Sequence, residues 1–189
     1  MHDTSSLKII GVCGKAGAGK DTFYEHVLKP RGFLRWQMTL HYKVWLCATG
    51  YYWDDIFYNK PPPIRKVLQE ELTALRDVHG EEVWLNTLRA WMHALEEIVG
   101  VRAAGIAVTD LRFLIEMRGI KAMGGKILHL QAPDEQATVA PELRGHRSET
   151  ELDSSEVLEL RDAWLLNGKD GVDQLVEAGT MILKSWEWI

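Results

Sequence analysis

The sequence contains only two cysteines, Cys13 and Cys47, and neither belongs to a Cys-x-x-Cys pair or to a histidine-rich spacing. A structural zinc site and a disulfide framework are therefore not indicated, and the cysteine usage fits a reduced cytoplasm. The chain also lacks a run of about 20 apolar residues, which a membrane-spanning helix needs. Its first residues, MHDTSSLKII, lack the basic and apolar regions of an export signal. We therefore expect a soluble cytoplasmic protein with no membrane partner.

An excess of positive charge is missing as well. The 22 basic and 27 acidic residues leave a net charge of -5, which does not favour a protein that binds nucleic acid through many phosphate contacts. A local basic cleft remains compatible with this balance. The sequence has no internal repeat, low-complexity tract or linker, and its 189 residues, 46% of them hydrophobic, suffice for one domain with a substantial core.

Short apolar runs alternate with amphipathic segments along the chain. Four runs have the length and composition of buried strands: 7–13, 33–38, 105–110 and 126–131. Four segments have features of helices: 20–29, which ends before Pro30, the segment that begins at Pro63, 82–99 and 112–123. Residues 40–58 are expected to be helical in pieces, and 162–179 to form a last strand, a turn and a last helix. This alternation predicts one α/β domain over residues 1–189 with a mainly parallel sheet.

The stretch GKAGAGKDT follows the first predicted strand directly. Gly14, Gly19 and Lys20 match the G-x-x-x-x-G-K pattern of a phosphate-binding loop (P-loop), in which backbone amides and the lysine bind phosphates. The dinucleotide pattern G-x-G-x-x-G fails, because Thr22 stands where the third glycine would be. The sequence therefore predicts an ATP site formed by Gly14, Lys15, Ala16, Gly17, Ala18, Gly19, Lys20, Asp21 and Thr22.

Asp21 occupies the position where such loops normally carry a Ser or Thr whose hydroxyl binds Mg²⁺. Either Thr22 substitutes for that hydroxyl, or the metal is held mainly by phosphates, waters and a second acid. Asp110 is the obvious second acid, because it ends the GIAVTD strand, and ligands gather at that end of strands in α/β sheets. A helix N-cap is the alternative role for Asp110. Thr22 and Asp110 are the expected metal ligands.

The helix that begins at Pro63 carries a polar stripe. Arg65, Gln69, Thr73 and Arg76 stand at positions i, i+4, i+8 and i+11, which places them on one face. A solvated helix face gives the same pattern. Two arginines that flank a Gln and a Thr are also what recognition of a phosphate and a base edge needs, because the guanidinium group is planar and bidentate. These four residues are the candidate acceptor-binding residues.

Residues 132–150, APDEQATVAPELRGHRSET, are polar, contain prolines and lack periodicity. They predict a long loop, and a loop of this length in a compact domain is usually functional or mobile. Its basic end is compatible with a segment that closes over phosphates, and equally with a plain surface loop. The residues concerned are Arg144, His146, Arg147, Ser148 and Glu149.

The ordered set of motifs GKAGAGKDT, RKVLQEELTALRDVHGEEVWL, VTDLRFLIE, GGKILHL and RGHRSE strongly resembles the deoxynucleoside monophosphate kinases of tailed bacteriophages over nearly the whole chain. The resemblance implies a P-loop kinase fold, with helices on both sides of the sheet, a helical acceptor-binding insertion at about 39–99 and a mobile lid at about 132–152. It also implies transfer of the γ-phosphate of ATP, with Mg²⁺, to the 5′-phosphate of a deoxynucleotide, often by a homodimer and, for a phage protein, in the host cytoplasm. The GKDT form of the loop is normal in that family.

The resemblance assigns roles to individual residues. Lys20 and the loop amides would hold the ATP phosphates, and Asp110 and Arg112 would lie at the phosphoryl-transfer centre. Gln69, Thr73 and Arg76 would face the acceptor. The closing segment would include Arg144, His146, Arg147, Ser148 and Glu149.

Several positions depart from the family pattern. Leu72 precedes Thr73 where a glycine is usual, and Ile115 precedes Glu116 where an asparagine is usual. The aromatic segment 39–62 also differs from the usual run before the acceptor helix. These changes lie on the expected acceptor side and not at the predicted ATP site.

Three other functions remain open. The first is phosphorylation of 5-hydroxymethyluracil already placed in phage DNA, where aromatic residues of segment 51–58 would stack on an extruded base. The second is a phosphomevalonate kinase, since those of animals carry a similar loop. The third is a nucleotide-binding switch or assembly ATPase, which would leave the Arg65 to Arg76 stripe without a role.

Overall fold

A computed structural model of the protein describes residues 7–100, 103–133, 151–168 and 171–189. Within these ranges five strands form one sheet: β1 (Lys8–Cys13), β2 (Phe33–Trp36), β3 (Gly105–Leu111), β4 (Lys126–Gln131) and β5 (Ala163–Leu166). The strand order is β2-β3-β1-β4-β5, and every neighbouring pair is parallel. The predicted α/β fold with a parallel sheet flanked by helices is confirmed.

The central strand β1 is buried along almost its whole length, as a strand covered on both faces must be. Its last residue, Cys13, is in register with Leu111 of β3 and with His129 of β4. The carboxyl ends of these three strands therefore meet at one edge of the sheet, and the residues that follow them are brought together there.

Seven α-helices lie in the described ranges: α1 (Lys20–Phe23), α2 (Leu40–Ala48), α3 (Pro62–His79), α4 (Val83–His93), α5 (Leu114–Ala122), α6 (Ser155–Leu160) and α7 (Val172–Ser185). Wider π-helical turns occur at Tyr24–Leu28, Asp55–Asn59 and Ala94–Val99, and 3₁₀ turns at Lys29–Arg31 and Glu151–Asp153. None of the helices described here has the length and the apolar composition that crossing a membrane requires.

The predicted helix over 20–29 forms, but it is not a single α-helix and it does not end before Pro30. The α-helical part ends at Phe23, a π-helical turn follows, and Pro30 lies inside the final 3₁₀ turn rather than stopping the helix before it. Proline fits the start of a helical turn because its missing N–H would have no partner there. Gly32, with a φ of 80°, ends the segment in the left-handed conformation that glycine adopts without strain.

The helix α6, just after the predicted closing segment, is not among the helices predicted from the sequence. Ser154 is the N-cap of α6, and its hydroxyl accepts a hydrogen bond from the Val157 amide at 3.4 Å. Serine is one of the residues preferred at a helix N-cap, so it can indicate the start of a helix. It was missed because the helix is only 6 residues long.

The chain divides into two compact units. The first consists of Met1–Trp36 and Arg102–Ile189 and contains the sheet with α1, α5, α6 and α7. The second is Gln37–Val101, which contains α2, α3 and α4. The second unit covers the segment in which the resemblance places an acceptor-binding insertion, and that role stays a prediction.

In the first unit, α7 packs closely on the segment after α1. A β-carbon at Gly179 of α7 would lie 2.7 Å from the Phe23 side chain and 2.9 Å from that of Val27, so any larger residue here would force one of these side chains to shift. The residues after α7 also pack against this core: Trp188 stacks on Phe33 with ring centroids 6.0 Å apart, and Lys8 Nζ donates to the Trp188 carbonyl at 2.7 Å. The helix that follows the glycine loop is thus backed by a packed core.

A charged cluster joins β4, β5 and α5 in the same unit. The carboxylate of Asp162 accepts hydrogen bonds from Lys121 Nζ at 2.7 Å and from the Ile127 amide at 2.8 Å, and Lys126 Nζ lies 3.3 Å away. Burial opposes ionisation of this carboxyl, but these hydrogen bonds and the Lys121 charge outweigh it and hold the pKa of Asp162 below its ordinary value. The role of Asp162 is structural.

Candidate phosphate-binding site

The segment Gly14 to Gly19 leaves the carboxyl end of β1 and leads directly into α1, as the sequence predicts. Three of its glycines have positive φ angles: 144° at Gly14, 81° at Gly17 and 91° at Gly19. Residues with a side chain rarely adopt such angles. A loop with this backbone can direct successive amide groups towards an anion, which is how phosphate-binding loops work.

Two of these glycines also lie against neighbouring groups. A β-carbon at Gly14 would be 2.2 Å from the Leu130 carbonyl oxygen, and one at Gly19 would be 2.2 Å from Asn167 Nδ2. Asn167 Nδ2 donates to the Ala18 carbonyl at 3.2 Å and so ties the loop to the end of β5. Asn167 is not predictable from the sequence as part of the site, because an Asn-Gly pair between a strand and a helix is also what an ordinary turn contains.

The side chain of Lys20 folds back over the loop. Its Nζ donates to the carbonyl oxygens of Gly14 at 2.6 Å and Lys15 at 2.9 Å. The ammonium group is therefore held at the loop itself rather than extended into solvent. This is the position from which a lysine can meet phosphate groups that the loop amides bind.

Asp21, the unusual residue of the loop, forms an ion pair with Arg35 of β2. Arg35 Nε in turn donates to Thr109 Oγ1 at 3.0 Å, one residue before Asp110. Arg35 is not among the site residues predicted from the sequence. The available signal was indirect: an acid beside a phosphate site calls for a positive charge nearby, but the sequence does not say which one.

Asp110 is the second-to-last residue of β3, as the sequence predicts, and it is half-buried. The next residue, Leu111, is in register with Cys13 at the end of β1. The N-cap of α5 is Phe113, so Asp110 does not have that alternative role. Thr22 is half-buried in α1.

The segment after Asp110 is held by two carboxylates. Glu116 Oε2 accepts hydrogen bonds from the backbone amides of Arg112 at 3.0 Å and Phe113 at 3.1 Å. Glu151 Oε1 accepts one from the Leu114 amide at 2.6 Å. Glu116 is only 4% exposed. Its role is therefore to cap α5 and to fix the backbone at Arg112, which the resemblance places at the transfer centre.

The expected metal ligands are one hydroxyl, of Thr22, and one carboxylate, of Asp110. Mg²⁺ usually binds through one or two carboxylates together with substrate phosphates and waters, so this small donor set fits it. In the part of the chain that the structure describes, no three His, Cys, Asp or Glu side chains are grouped as a site built wholly from protein would require.

A buried histidine lies beside the loop. His129 of β4 is in register with Cys13, and its Nδ1 has no hydrogen-bond partner within the described ranges. Burial lowers the pKa of His129, and the nearby charges of Arg161, Lys15 and Lys20 act in the same direction. The charge of Asp153 acts in the opposite direction but does not outweigh these effects, so the neutral imidazole is favoured. Neither His129 nor Arg161 is among the residues predicted from the sequence.

Cys13 directly precedes the loop and is completely buried. Burial raises the pKa of its thiol to about 12, although the nearby Lys20 charge acts in the opposite direction. A thiol with this pKa remains protonated and is not a nucleophile.

The predicted acceptor residues lie on α3 in the second unit. Gln69, Thr73 and Arg65 are exposed, and Arg65 Nε donates to a backbone carbonyl at 2.7 Å. Arg76 is less accessible, with 17% of its side chain exposed, and its Nε lies 3.7 Å from Glu81 Oε2. The structure places all four on one helix. Their part in binding an acceptor stays a prediction.

The residues predicted to close over the phosphates, namely Arg144, His146, Arg147, Ser148 and Glu149, lie outside the described residues. The described chain resumes at Glu151, whose carboxylate caps α5. Two residues later, Asp153 Oδ2 accepts a hydrogen bond from Lys15 Nζ at 2.8 Å. The end of the predicted closing segment is therefore anchored both to the loop and to the helix after Asp110.

No family model matches the chain, and no curated protein matches it in sequence. Among solved structures, it is similar to a sugar kinase of a Janibacter species, at 18% identity and a TM-score of 0.46, with 94% of this chain and 95% of that one covered. It is also similar to the protein TT1252 of Thermus thermophilus, at 19% identity and a TM-score of 0.48, with 95% and 97% covered. Similarities at these levels carry no functional inference to this chain.

Proposed function

We propose that the protein is an ATP-dependent phosphotransferase that moves the γ-phosphate of ATP to a deoxynucleoside monophosphate. The observation that carries the proposal is the glycine loop after β1, with positive φ angles at Gly14, Gly17 and Gly19 and with Lys20 Nζ held over it. A site of this kind is suited to polyphosphate because amide groups and a cation converge on the same space.

In the proposed reaction the bond between the γ-phosphorus and its bridging oxygen breaks, and a new bond forms to an oxygen of the acceptor. The protein contributes mainly positioning and charge neutralisation, since the transition state is loose. The loop amides and Lys20 hold the donor phosphates, and Arg112 offsets charge at the transferred group. Thr22 and Asp110 would hold Mg²⁺, which supplies further charge neutralisation when bound.

A monophosphate acceptor suits the groups at the site. The second pKa of a phosphate monoester is about 6, so its oxygen is already ionised at neutral pH and needs no general base. The proposed role of Asp110 is then to bind the metal. The choice of a deoxynucleotide rests on the sequence resemblance to phage kinases and on the α3 stripe, where Arg65, Gln69 and Thr73 are exposed to a ligand.

Phosphorylation of 5-hydroxymethyluracil in DNA is the second candidate. It is favoured by aromatic side chains exposed in the second unit: Tyr52 is 80% exposed, Tyr58 72% and Trp53 50%. Exposed aromatic rings can stack on an extruded base. This acceptor is a hydroxyl group, however, so a side chain would also have to accept its proton.

Incubation with labelled ATP and Mg²⁺ against a panel of acceptors separates these functions. The panel contains the deoxynucleoside monophosphates, hydroxymethyl-dUMP, DNA that contains 5-hydroxymethyluracil, and mevalonate phosphate. We expect label in a deoxynucleoside diphosphate. Label found only in DNA would replace the first proposal by the second, and ATP binding with slow hydrolysis and no transfer to any acceptor would indicate a switch or assembly ATPase.

Replacement of Arg76 by alanine is expected to weaken acceptor use selectively. If its guanidinium group binds the acceptor phosphate, the loss should raise the KM for the monophosphate by about tenfold or more and leave the Kd for ATP unchanged. Steady-state kinetics and direct ATP binding measure the two effects. Arg89→Ala on α4 is the matched control, because Arg89 also lies near a glutamate, Glu82, at 3.9 Å. An equal loss of ATP binding in Arg76→Ala would contradict the assignment.

A further inference from the structure

The acid at position 21 creates an electrostatic problem for the proposed site. Asp21 follows Lys20 directly, at the start of α1, and its side chain is 78% exposed. An unpaired carboxylate here would repel a polyphosphate bound at the loop and would offset part of the attraction from Lys20. An aspartate this exposed is solvated by water and needs no partner in the protein. Asp21 nevertheless forms an ion pair.

That partner, Arg35, is held in place by contacts from three segments. Its Nη2 pairs with Asp21 Oδ1, and its Nε donates to Thr109 Oγ1 at 3.0 Å. Its guanidinium carbon lies 5.3 Å from the centre of the Tyr24 ring, and Tyr24 is fixed in turn because its hydroxyl donates to the Phe33 carbonyl at 3.2 Å. The guanidinium group therefore reaches Asp21 from a defined position.

Fold stability does not explain the ion pair between Arg35 and Asp21. An ion pair with an exposed carboxylate contributes little to stability. Strands β2 and β3 are already joined by backbone pairing, with Arg35 opposite Ala107 and Trp36 opposite Val108. The arginine offsets the charge of Asp21 and fixes the position of its carboxylate, next to the lysine of the loop.

We propose that Arg35 is a positioning residue of the phosphate site. It neutralises Asp21, keeps this carboxylate turned away from the bound phosphates, and links α1 to β3 one residue before Asp110. The inference rests on the proposed function, because it requires that the loop bind ATP. It also explains how a loop with an acid in place of the usual hydroxyl can remain attractive to a polyphosphate.

The test compares four proteins: wild type, Arg35→Ala, Asp21→Asn and the double variant. Direct titration gives the Kd for ATP with and without Mg²⁺. We expect Arg35→Ala to raise the Kd about tenfold, which is the size of effect that one nearby uncompensated charge can have. Asp21→Asn should bind ATP more tightly than wild type, because it leaves the charge of Arg35 unopposed. The double variant should return to within about twofold of wild type, because both proteins carry no net charge at this pair.

Two controls separate this role from a structural one. Arg118→Ala removes another exposed ion pair of the same unit, with Glu156, and should leave the Kd unchanged. Arg35→Lys keeps the charge and should restore part of the affinity that alanine loses.

The outcomes distinguish the inference from the function on which it rests. A wild-type protein that does not bind ATP would overturn both. If the wild type binds ATP and Arg35→Ala lowers the melting temperature without changing the Kd for ATP, only the inference is overturned. A double variant as weak as Arg35→Ala alone would show that Asp21 is not the charge that Arg35 offsets.

Discussion

Replacement of Lys20 by alanine is expected to abolish phosphoryl transfer to every acceptor. Lys20 Nζ, which donates to the carbonyls of Gly14 and Lys15, is the cation that the structure places over the glycine loop. In a mechanism that depends on neutralising phosphate charge, removal of this group should lower kcat/KM by at least about a hundredfold. The measurement is the labelled-ATP assay with whichever acceptor the wild type uses.

The matched control is Lys29→Ala, in the same unit. Lys29 is exposed and pairs with Glu25 four residues earlier, so its loss should change neither activity nor fold measurably. Thermal unfolding of both variants shows whether lost activity reflects a lost fold. A Lys20→Ala variant that folds and transfers phosphate at the wild-type rate would remove the loop from the mechanism.

The features that could be predicted from the sequence are those that local patterns determine. The run KILHLQ forms β4 over the predicted residues, because a short apolar run between glycines and a polar segment fits a buried strand and little else. The glycine loop was predictable for a related reason: a strand, a G-x-x-x-x-G-K motif and a helix in direct succession constrain the backbone strongly.

The contacts that could not be predicted join residues far apart in the chain. Asn167 donates to the Ala18 carbonyl across 149 positions, and Arg35 donates to Thr109 across 74. No periodicity or motif near either residue indicates its partner, because the partner is set by the order of strands in the sheet. The helix predicted over 20–29 forms, but its type could not be predicted, because helical propensity does not distinguish an α-turn from the wider π-turn found after Phe23.

The α3 stripe shows the limit of a pattern that has two explanations. Helical spacing correctly placed Arg65, Gln69, Thr73 and Arg76 on one helix. The spacing did not indicate how exposed each side chain is. The Arg76 side chain is mostly buried and lies close to Glu81, whereas Gln69 and Thr73 are exposed. Spacing defines the face of a helix, whereas the surroundings of each side chain depend on what packs against that face.

Replacement of Gly14 by alanine is expected to be the most damaging single substitution in the loop. Two independent effects combine there: the φ angle of 144° is one that residues with a side chain rarely adopt, and a β-carbon would lie 2.2 Å from the Leu130 carbonyl oxygen. That oxygen belongs to the backbone of β4, so it cannot move aside without disturbing the sheet. We expect a loss of unfolding free energy on the order of 3 kcal/mol.

Gly124→Ala separates the two effects. Gly124 also has a positive φ, of 77°, but no atom lies within 4 Å of the position that its β-carbon would take. It should therefore show only the conformational cost, about 1 kcal/mol. Urea unfolding of both variants measures the difference, and equal losses would show that the contact with Leu130 is relieved at little cost. Because relief of that contact requires the loop to move away from β4, we expect Gly14→Ala also to lose ATP affinity at temperatures where it remains folded, and Gly124→Ala to retain it.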